Sequence, residues 1–217
     1  MRYRIRSPLL VLLAALPAAL CARSSAATPQ RPATAAVADA FPPRMQSFPL
    51  YGDGPIPNSK AGPNEEFGAD RGFLRKVSRP KILVYLPAKS RANGAGILVF
   101  PGGSYAGLTF DYEGVQQAQF FVDHGIAAFV VKYRIPSDRT MIDKSIGPLQ
   151  DAQQAIRFVR LHAKEWSLDP ARVGAIGFSA GGHVASTLAT HFNQAYVSNP
   201  ERISLRPDFL IDRKSVV

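Results

Sequence analysis

The stretch VGAIGFSAGGHVAS, residues 173–186, places a serine between two contrasting patterns. Its first six residues favour a buried strand, and the residues from Ala180 onward favour a helix. Ser179 stands where the two meet, inside a Gly-x-Ser-x-Gly motif completed by Gly177 and Gly181. In this context a serine occupies a strained turn and projects its hydroxyl from the sheet, which makes Ser179 a candidate nucleophile.

Steric and electrostatic requirements explain why a nucleophilic serine needs this motif. Gly177 and Gly181 remove side chains that would collide in the tight turn, and the helix that follows directs its positive N-terminus at a developing oxyanion. Because the bare motif also occurs by chance, the alternative is an ordinary Gly-rich turn capped by serine. The predicted strand and helix on the required sides of Ser179 favour the nucleophile.

A second glycine-rich stretch, VFPGGSYAG at residues 99–107, follows another predicted strand. An acyl-transfer enzyme needs backbone N–H donors where a carbonyl oxygen becomes negative. The expected donors of this oxyanion hole are the N–H of Ala180 and those of the loop at Gly102, Gly103 and Ser104. The alternative for the loop is a plain β-turn.

Strands and helices alternate along the chain from about Gly72. Strands are predicted at 96–100, 126–134, 172–178 and from 207, and helices at 112–125, 147–166 and 180–192. The alternation predicts an α/β fold with a mostly parallel sheet that helices cover on both faces. An antiparallel hairpin of residues 72–77 and 81–87 is expected at one edge.

The chain before residue 71 is predicted to have little regular structure. Residues 28–70 are rich in Ala and Pro and then in Pro, Gly and Asn, which is typical of a flexible leader and an irregular segment. Residues 1–27 have the basic start, short apolar run and small final residues of a secretory signal peptide cut after Ala27. Lipid anchoring at Cys21 is not favoured, because bulky Leu20 precedes it.

The net charge and the cysteine content limit the classes of partner and the chemistry that we expect for this protein. The formal net charge is +10, and removal of the four arginines of residues 1–27, which contain no acidic residue, leaves +6. No basic run remains, so a nucleic-acid partner is not expected. Cys21 is the one cysteine, which leaves the mature chain without disulfide or thiol chemistry. We expect a secreted or periplasmic protein without membrane association, metal or organic cofactor.

Five stretches carry a family resemblance: ILVFPGGSYAGLTFDYEG, GIAAFVVKYRIP, GPLQDAQQAIRFVR, DPARVGAIGFSAGGHVASTLATHF and RPDF. Together they resemble the α/β-hydrolases of the esterase and lipase group, close to the acetyl-xylan-esterase-like and feruloyl-esterase-like (BD-FAE-like) carbohydrate esterases. The resemblance covers about residues 80–210. It implies the α/β-hydrolase fold and an acyl-enzyme formed at Ser179 from an ester or acylated carbohydrate such as acetylated xylan. Ser104 departs from the family's usual third glycine, but its backbone N–H remains.

The triad partners of this fold follow the serine in the order acid, then histidine. His191 lies at the far end of the same helix, about 18 Å from Ser179 at 1.5 Å per residue, and His183 is fixed to that helix. Asp212 falls at the correct end of the next strand and Asp208 at the opposite end. The sequence therefore predicts a nucleophile and an oxyanion hole without the triad acid and histidine.

The C-terminal residues suggest an incomplete domain. The run PDFLI begins a strand, and DRKSVV, residues 212–217, then turns to charged residues and matches the translation of a sequencing adapter. We interpret residues 71–211 as the N-terminal part of the hydrolase domain and 212–217 as a non-native tail, and we expect this chain to be inactive. A short paralogue, a peptidase or lipase of the same fold, and a non-catalytic binding module remain alternatives.

Other polar residues near the motifs have structural interpretations. Asp111 and Glu113 are expected to cap the helix after the glycine-rich loop rather than to contact a sugar. Arg134 and Asp151 are expected to form an ion pair beneath the site. Helix positions without a catalytic role are predicted for His124, His162 and His183.

Overall fold

The computed structural model describes residues 44–61, 66–67 and 72–213. The predicted signal peptide, most of the predicted leader and the last four residues of the predicted tail lie outside the described residues. Within the described part, no helix has the length and apolar character needed to cross a bilayer.

The elements follow the predicted alternation over most of their length. The strands are β1 (Arg44–Pro49), β2 (Glu66–Phe67), β3 (Phe73–Arg75), β4 (Lys81–Leu86), β5 (Gly96–Phe100), β6 (Leu108–Thr109), β7 (Ala127–Lys132), β8 (Val173–Phe178) and β9 (Leu210–Arg213). The helices are α1 (Gln116–Asp123), α2 (Gly147–Leu161) and α3 (Ala180–Thr190), and a π-helical turn, Phe110–Val115, precedes α1.

Six strands form the main sheet in the order β1-β4-β7-β5-β8-β9. The four adjacent strands β7, β5, β8 and β9 are parallel to one another. At the other edge, β4 runs antiparallel to β7, and β1 runs antiparallel to β4. The short strands β2, β3 and β6 form a separate antiparallel sheet. The predicted mostly parallel α/β sheet is therefore confirmed.

The antiparallel edge corrects two predictions. β4 pairs with β1, whereas β3 pairs with β2 and β6, so the hairpin predicted at 72–87 does not form. Lys76 follows β3 with a φ of 53°, which redirects the chain before it reaches β4. The prediction of irregular structure through residue 70 is also wrong, because β1 lies within that range. Most described side chains of β1 are exposed, so backbone pairing forms this strand without a hydrophobic pattern.

Two apolar layers hold the helices on opposite faces of the main sheet. Leu98 and Phe100 of β5 belong to the layer beneath α2 and α3. Ile97 and Val99 belong to the layer beneath α1. All residues of β5, β7 and β8 are buried, as expected for strands covered on both faces.

β9 extends the sheet beside β8 and brings the end of the described chain to the serine turn. Gly177 pairs with Asp212, and Phe178 pairs with Arg213. The sequence boundary drawn at residue 212 thus falls inside a strand. The exposed apolar residues at this edge of the described sheet are Phe209, Leu210 and Ile211, each about 40% exposed.

Candidate active site

Ser179 occupies a strained turn between β8 and α3. Its φ is 49° and its ψ is −117°, a conformation that residues other than glycine rarely adopt. Its side chain makes no capping hydrogen bond to α3, so the turn is not an ordinary serine cap. Strain of this kind costs about 1–3 kcal/mol and is found at functional sites. The predicted strand–turn–helix geometry is confirmed.

The two motif glycines are required by backbone contacts. A Cβ at Gly177 would lie 2.2 Å from the carbonyl oxygen of Gly181. A Cβ at Gly181 would lie 2.1 Å from the carbonyl oxygen of Phe100, at the end of β5. Because backbone atoms cannot rotate away as side chains do, these glycines allow α3 to begin directly against β5 and β8.

The glycine-rich loop is a tight turn in an unusual conformation. Gly103, Ser104 and Tyr105 have φ values of 135°, 51° and 57°. The N–H of Ala106 donates to the carbonyl of Gly103 at 2.9 Å and closes the turn. Ser104 therefore takes a positive φ that glycine would adopt without strain, which gives a physical reason for the family's glycine at this position. The loop therefore has the geometry of a β-turn, as the alternative interpretation predicted. This geometry does not determine whether its N–H groups bind an oxyanion.

The loop packs close to Ser179, and one predicted oxyanion donor already has a hydrogen-bond partner. A Cβ at Gly102 would lie 3.1 Å from the Cβ of Ser179. The N–H of Gly102 donates to Glu113 Oε2 at 2.7 Å, which corrects its prediction as an oxyanion donor. No acceptor among the described residues takes the N–H of Gly103 or Ser104. Ala180 is the first residue of α3, where an N–H has no intrahelical partner.

The acidic residues after the loop also differ from their predicted capping role. Neither caps the π-helical turn, which has no side-chain cap. Glu113 instead accepts the Gly102 N–H, and the Asp111 N–H donates to the carbonyl of Gly72. Glu113 lies in the π-helical turn with its carboxylate against the glycine-rich loop.

Tyr133 anchors the first residue of the loop from the end of β7. Its hydroxyl donates to the carbonyl oxygen of Pro101 at 2.7 Å. The side chain is fully buried, and burial raises the pKa of the Tyr133 phenol above its ordinary value. The loop is thus held by a neutral, buried donor.

We expect the free energy of unfolding to fall as the pH rises above about 10. Burial raises the pKa of Tyr51 and Tyr133, and it raises that of Tyr105 to about 12. Between the unfolded and folded pKa values, the unfolded chain releases protons that the folded chain retains. The stabilisation is therefore complete below about pH 10 and is lost as the pH rises through the folded values.

Urea denaturation between about pH 8 and pH 11 measures this effect. Tyr133→Phe should flatten the decline by up to about 1.4 kcal/mol per pH unit. The same alkaline slope in Tyr133→Phe and in the unmodified protein would contradict the assignment.

The predicted Arg134–Asp151 pair is present and fully buried. Arg134 Nη2 lies 2.8 Å from Asp151 Oδ1, and the backbone N–H of Arg134 donates to Oδ2 at 2.8 Å. Burial raises the pKa of the Asp151 carboxyl, and Arg134 opposes this shift by stabilising its charge. Tyr51 donates its hydroxyl to the same carboxylate, and Arg134 also donates to the carbonyl of Pro57, so the pair fixes the chain that follows β1.

All four histidines of the chain lie in its described part, and no imidazole among them hydrogen bonds to Ser179; the His183 backbone N–H donates to the Ser179 carbonyl at 3.1 Å. His183 Nδ1 lies 2.7 Å from the hydroxyl of Tyr105, and their rings meet edge to face. The other three cap helix ends, where each Nδ1 contacts a neighbouring oxygen: His124, His162 and His191. The Ser179 hydroxyl therefore has no hydrogen-bonded imidazole partner among these four residues.

The two candidate acids lie where the sequence predicts. Asp212 is at the carboxyl end of β9, and its Oδ1 would be 2.5 Å from a Cβ at Gly182 in the first turn of α3. Asp208 lies at the opposite end, where it accepts from Val173 N–H and from Arg160. Among the described residues, no cluster of three or more His, Cys, Asp or Glu side chains could hold a metal.

A groove of about 280 Å³ opens between the glycine-rich loop, α2 and α3. Tyr105 and His183 form one wall, Leu149 forms the apolar floor, and Lys144 and Ser145 add polar groups. Sequence reasoning missed this groove, although the place of Tyr105 directly after the predicted donors was a usable signal. The groove is large enough for part of a small ligand, and His183, which lines it, lies in the first turn of α3.

A strained serine between a parallel strand and a helix, facing a glycine-rich loop on the neighbouring strand, defines an α/β-hydrolase. The comparison with family models agrees, because the BD-FAE model matches residues 82–209. The chain belongs to the BD-FAE family.

Two curated relatives and one solved structure are similar to this chain. The acetylxylan esterase of Xylanibacter ruminicola is 40% identical over 118 residues, which are 54% of this chain and 23% of that protein. The endo-1,4-beta-xylanase B of Butyrivibrio fibrisolvens is 40% identical over 148 residues, 67% of this chain and 22% of that protein. An acetyl ester-xyloside bifunctional hydrolase from Caldicellulosiruptor lactoaceticus has a TM-score of 0.57 at 35% identity, over 78% of this chain and 57% of that chain.

These matches are partial for the relatives. The chain spans less than a quarter of either curated protein and little more than half of the solved structure. Family and fold follow from the matches.

Proposed function

We propose that this protein is a serine esterase that deacylates carbohydrates. The observation that carries the proposal is Ser179, held in a strained turn at the N-terminus of α3 and close to the glycine-rich loop. The N–H groups of Gly103 and Ser104 have no acceptor among the described residues, which leaves them available to an oxyanion.

The proposed reaction is acyl transfer through Ser179. Its Oγ attacks the ester carbonyl, and the N–H of Ala180 and those of the loop stabilise the tetrahedral oxyanion. Collapse of this intermediate expels the sugar hydroxyl and leaves an acyl-serine. Water then attacks the acyl-serine, releases the carboxylic acid and restores the hydroxyl. No step requires a metal or an organic cofactor.

The proton of Ser179 needs an acceptor within about 3 Å, and no imidazole of this chain hydrogen bonds to the serine. We propose that this chain is therefore a slow catalyst by itself. General-base catalysis contributes about 10²- to 10⁴-fold in rate, which is the share that an imidazole from another source would supply.

The proposed substrate is an acetylated sugar such as acetylated xylan. The names of the relatives support it, since they include an acetylxylan esterase, a xylanase and an acetyl ester-xyloside hydrolase. The groove beside Tyr105 offers an aromatic wall that suits a sugar, and it is also lined by Ser145 and Lys144, whose polar groups bind Asp143 and Asp138. We also propose that the protein acts outside the cytoplasm, because xylan is a polymer and residues 1–27 resemble a signal peptide.

A substrate panel tests this proposal. In imidazole buffer, we expect release of acetate from acetylated xylan and hydrolysis of 4-nitrophenyl acetate, with much slower hydrolysis of a long-chain ester and of a peptide anilide. The expectation rests on the relatives, which include an acetylxylan esterase and an acetyl ester-xyloside hydrolase. Preference for the long-chain ester would favour a lipase, and preference for the anilide would favour a peptidase.

A non-catalytic binding module is the second candidate, and the lack of an imidazole hydrogen bond to Ser179 favours it. Such a module would bind acetylated xylan and release no acetate even with imidazole. Affinity electrophoresis in gels with acetylated and deacetylated xylan, run beside the acetate assay, separates the two functions.

A further inference from the structure

The carboxylate of Glu113 lies against the glycine-rich loop, one residue from the candidate oxyanion donors. Its Oε2 accepts the N–H of Gly102 at 2.7 Å. A Cβ at Gly102 would lie 2.9 Å from this oxygen and 3.1 Å from the Cβ of Ser179. Glu113 therefore binds Gly102, and Ser179 lies beside the same glycine, where no side chain separates them.

The π-helical turn brings Glu113 to this position. Glu113 is half-buried there, whereas its neighbours Asp111 and Tyr112 are exposed. Gly114 lets the turn pack closely, because a Cβ on it would lie 2.9 Å from Val130 and 3.3 Å from the ring of Pro101. Single π-helical turns are rare in proteins, and those that occur are often at functional sites.

Each polar backbone group at the start of the loop has a defined partner. The carbonyl of Pro101 accepts from Tyr133, and the carbonyl of Gly102 accepts from the N–H of Thr109 at 2.8 Å. Glu113 takes the N–H of Gly102. The peptide that precedes Gly103 is thereby fixed through the carbonyl of Gly102, and the orientation of the Gly103 N–H is fixed with it.

We propose that Glu113 is a positioning residue of the oxyanion hole. It engages the N–H of Gly102 and holds the loop so that the N–H of Gly103 faces the ester oxygen. This inference rests on the proposed esterase function. Glu113 acts as a hydrogen-bond acceptor and not through its charge, because a negative charge near a developing oxyanion opposes its formation.

Three substitutions separate these effects. Glu113→Gln keeps the reach and an acceptor oxygen, Glu113→Asp keeps the charge but shortens the side chain, and Glu113→Ala removes both. The assay uses 4-nitrophenyl acetate in imidazole buffer. We expect the Ala and Asp variants to lower the Ser179-dependent kcat by about 10- to 100-fold with little change in KM. Removal of an oxyanion-hole donor lowers kcat by about 10²- to 10³-fold, and a misplaced donor should cause part of that loss. Gln should retain most of the kcat. Asp111→Ala, an exposed neighbour, is the control.

Several outcomes would overturn the inference. An unchanged kcat in Asp and Ala, a loss in Gln equal to that in Ala, or a rise in KM alone would each do so. If Glu113→Ala does not fold, the Gln and Asp variants still separate reach from charge. Ser179→Ala is measured in parallel: no effect of this change overturns both the esterase function and the inference, whereas a Ser179-dependent rate that ignores Glu113 overturns the inference alone.

Discussion

Replacing Ser179 with Ala is expected to remove the hydrolysis of 4-nitrophenyl acetate that imidazole stimulates in this protein. A serine hydroxyl becomes an effective nucleophile only when a base takes its proton, and imidazole in solution supplies the group that no histidine of the chain provides at Ser179. We expect imidazole to raise the Ser179-dependent rate by about 10- to 100-fold, part of the 10²- to 10⁴-fold of a positioned base. Ser179→Ala should lose this whole increment.

The matched control is Ser186→Ala, a change of the same size on the same helix. It should leave the imidazole-stimulated rate unchanged after the direct reaction of imidazole with the ester is subtracted. If Ser179→Ala and the unmodified protein respond equally to imidazole, Ser179 is not the nucleophile.

The largest loss of stability is expected from Asp151→Ala. This substitution leaves the guanidinium of Arg134, which is fully buried, without its carboxylate partner. Removal of one member of a buried ion pair costs about 3–5 kcal/mol, because an uncompensated charge remains in the interior. A domain with about 5–15 kcal/mol of stability would be close to unfolding. Urea denaturation followed by circular dichroism measures the loss.

Asp138→Ala is the control for this prediction. Asp138 pairs with Lys144 at 2.5 Å, but the Asp138 side chain is 79% exposed. An exposed pair contributes about 0–1 kcal/mol, so the midpoint of unfolding should hardly change. Equal losses in Asp138→Ala and Asp151→Ala would show that the buried network does not stabilise the fold.

The parts of the fold that the sequence predicted are those with a strong local pattern. β5, β7 and β8 are apolar along their whole length because both faces are buried, and this pattern is visible without a structure. The turn at Ser179 was equally visible, since backbone contacts of 2.1–2.2 Å would meet a Cβ at either motif glycine. Local sterics therefore specify both the core strands and the turn.

The parts that sequence reasoning missed depend on contacts between distant residues. β1 has mostly exposed side chains and forms by backbone pairing with β4, which leaves no periodic signal. In the sequence, Glu113 resembles a helix-capping residue. The structure shows instead that it lies in a π-helical turn and accepts the N–H of Gly102. The same contact removed Gly102 from the predicted oxyanion donors. Pairing and unusual helical winding are tertiary outcomes that composition does not encode.

The most direct measurement of the central claim is the site of covalent acylation. The protein is mixed with 4-nitrophenyl acetate and imidazole, quenched in acid, digested and analysed by tandem mass spectrometry. We predict that the acetyl group is on Ser179, in the peptide that contains residues 173–186, and that this adduct is absent from Ser179→Ala. An acetyl group confined to other residues, such as Tyr105 or surface lysines, with the same pattern in Ser179→Ala, would contradict the account.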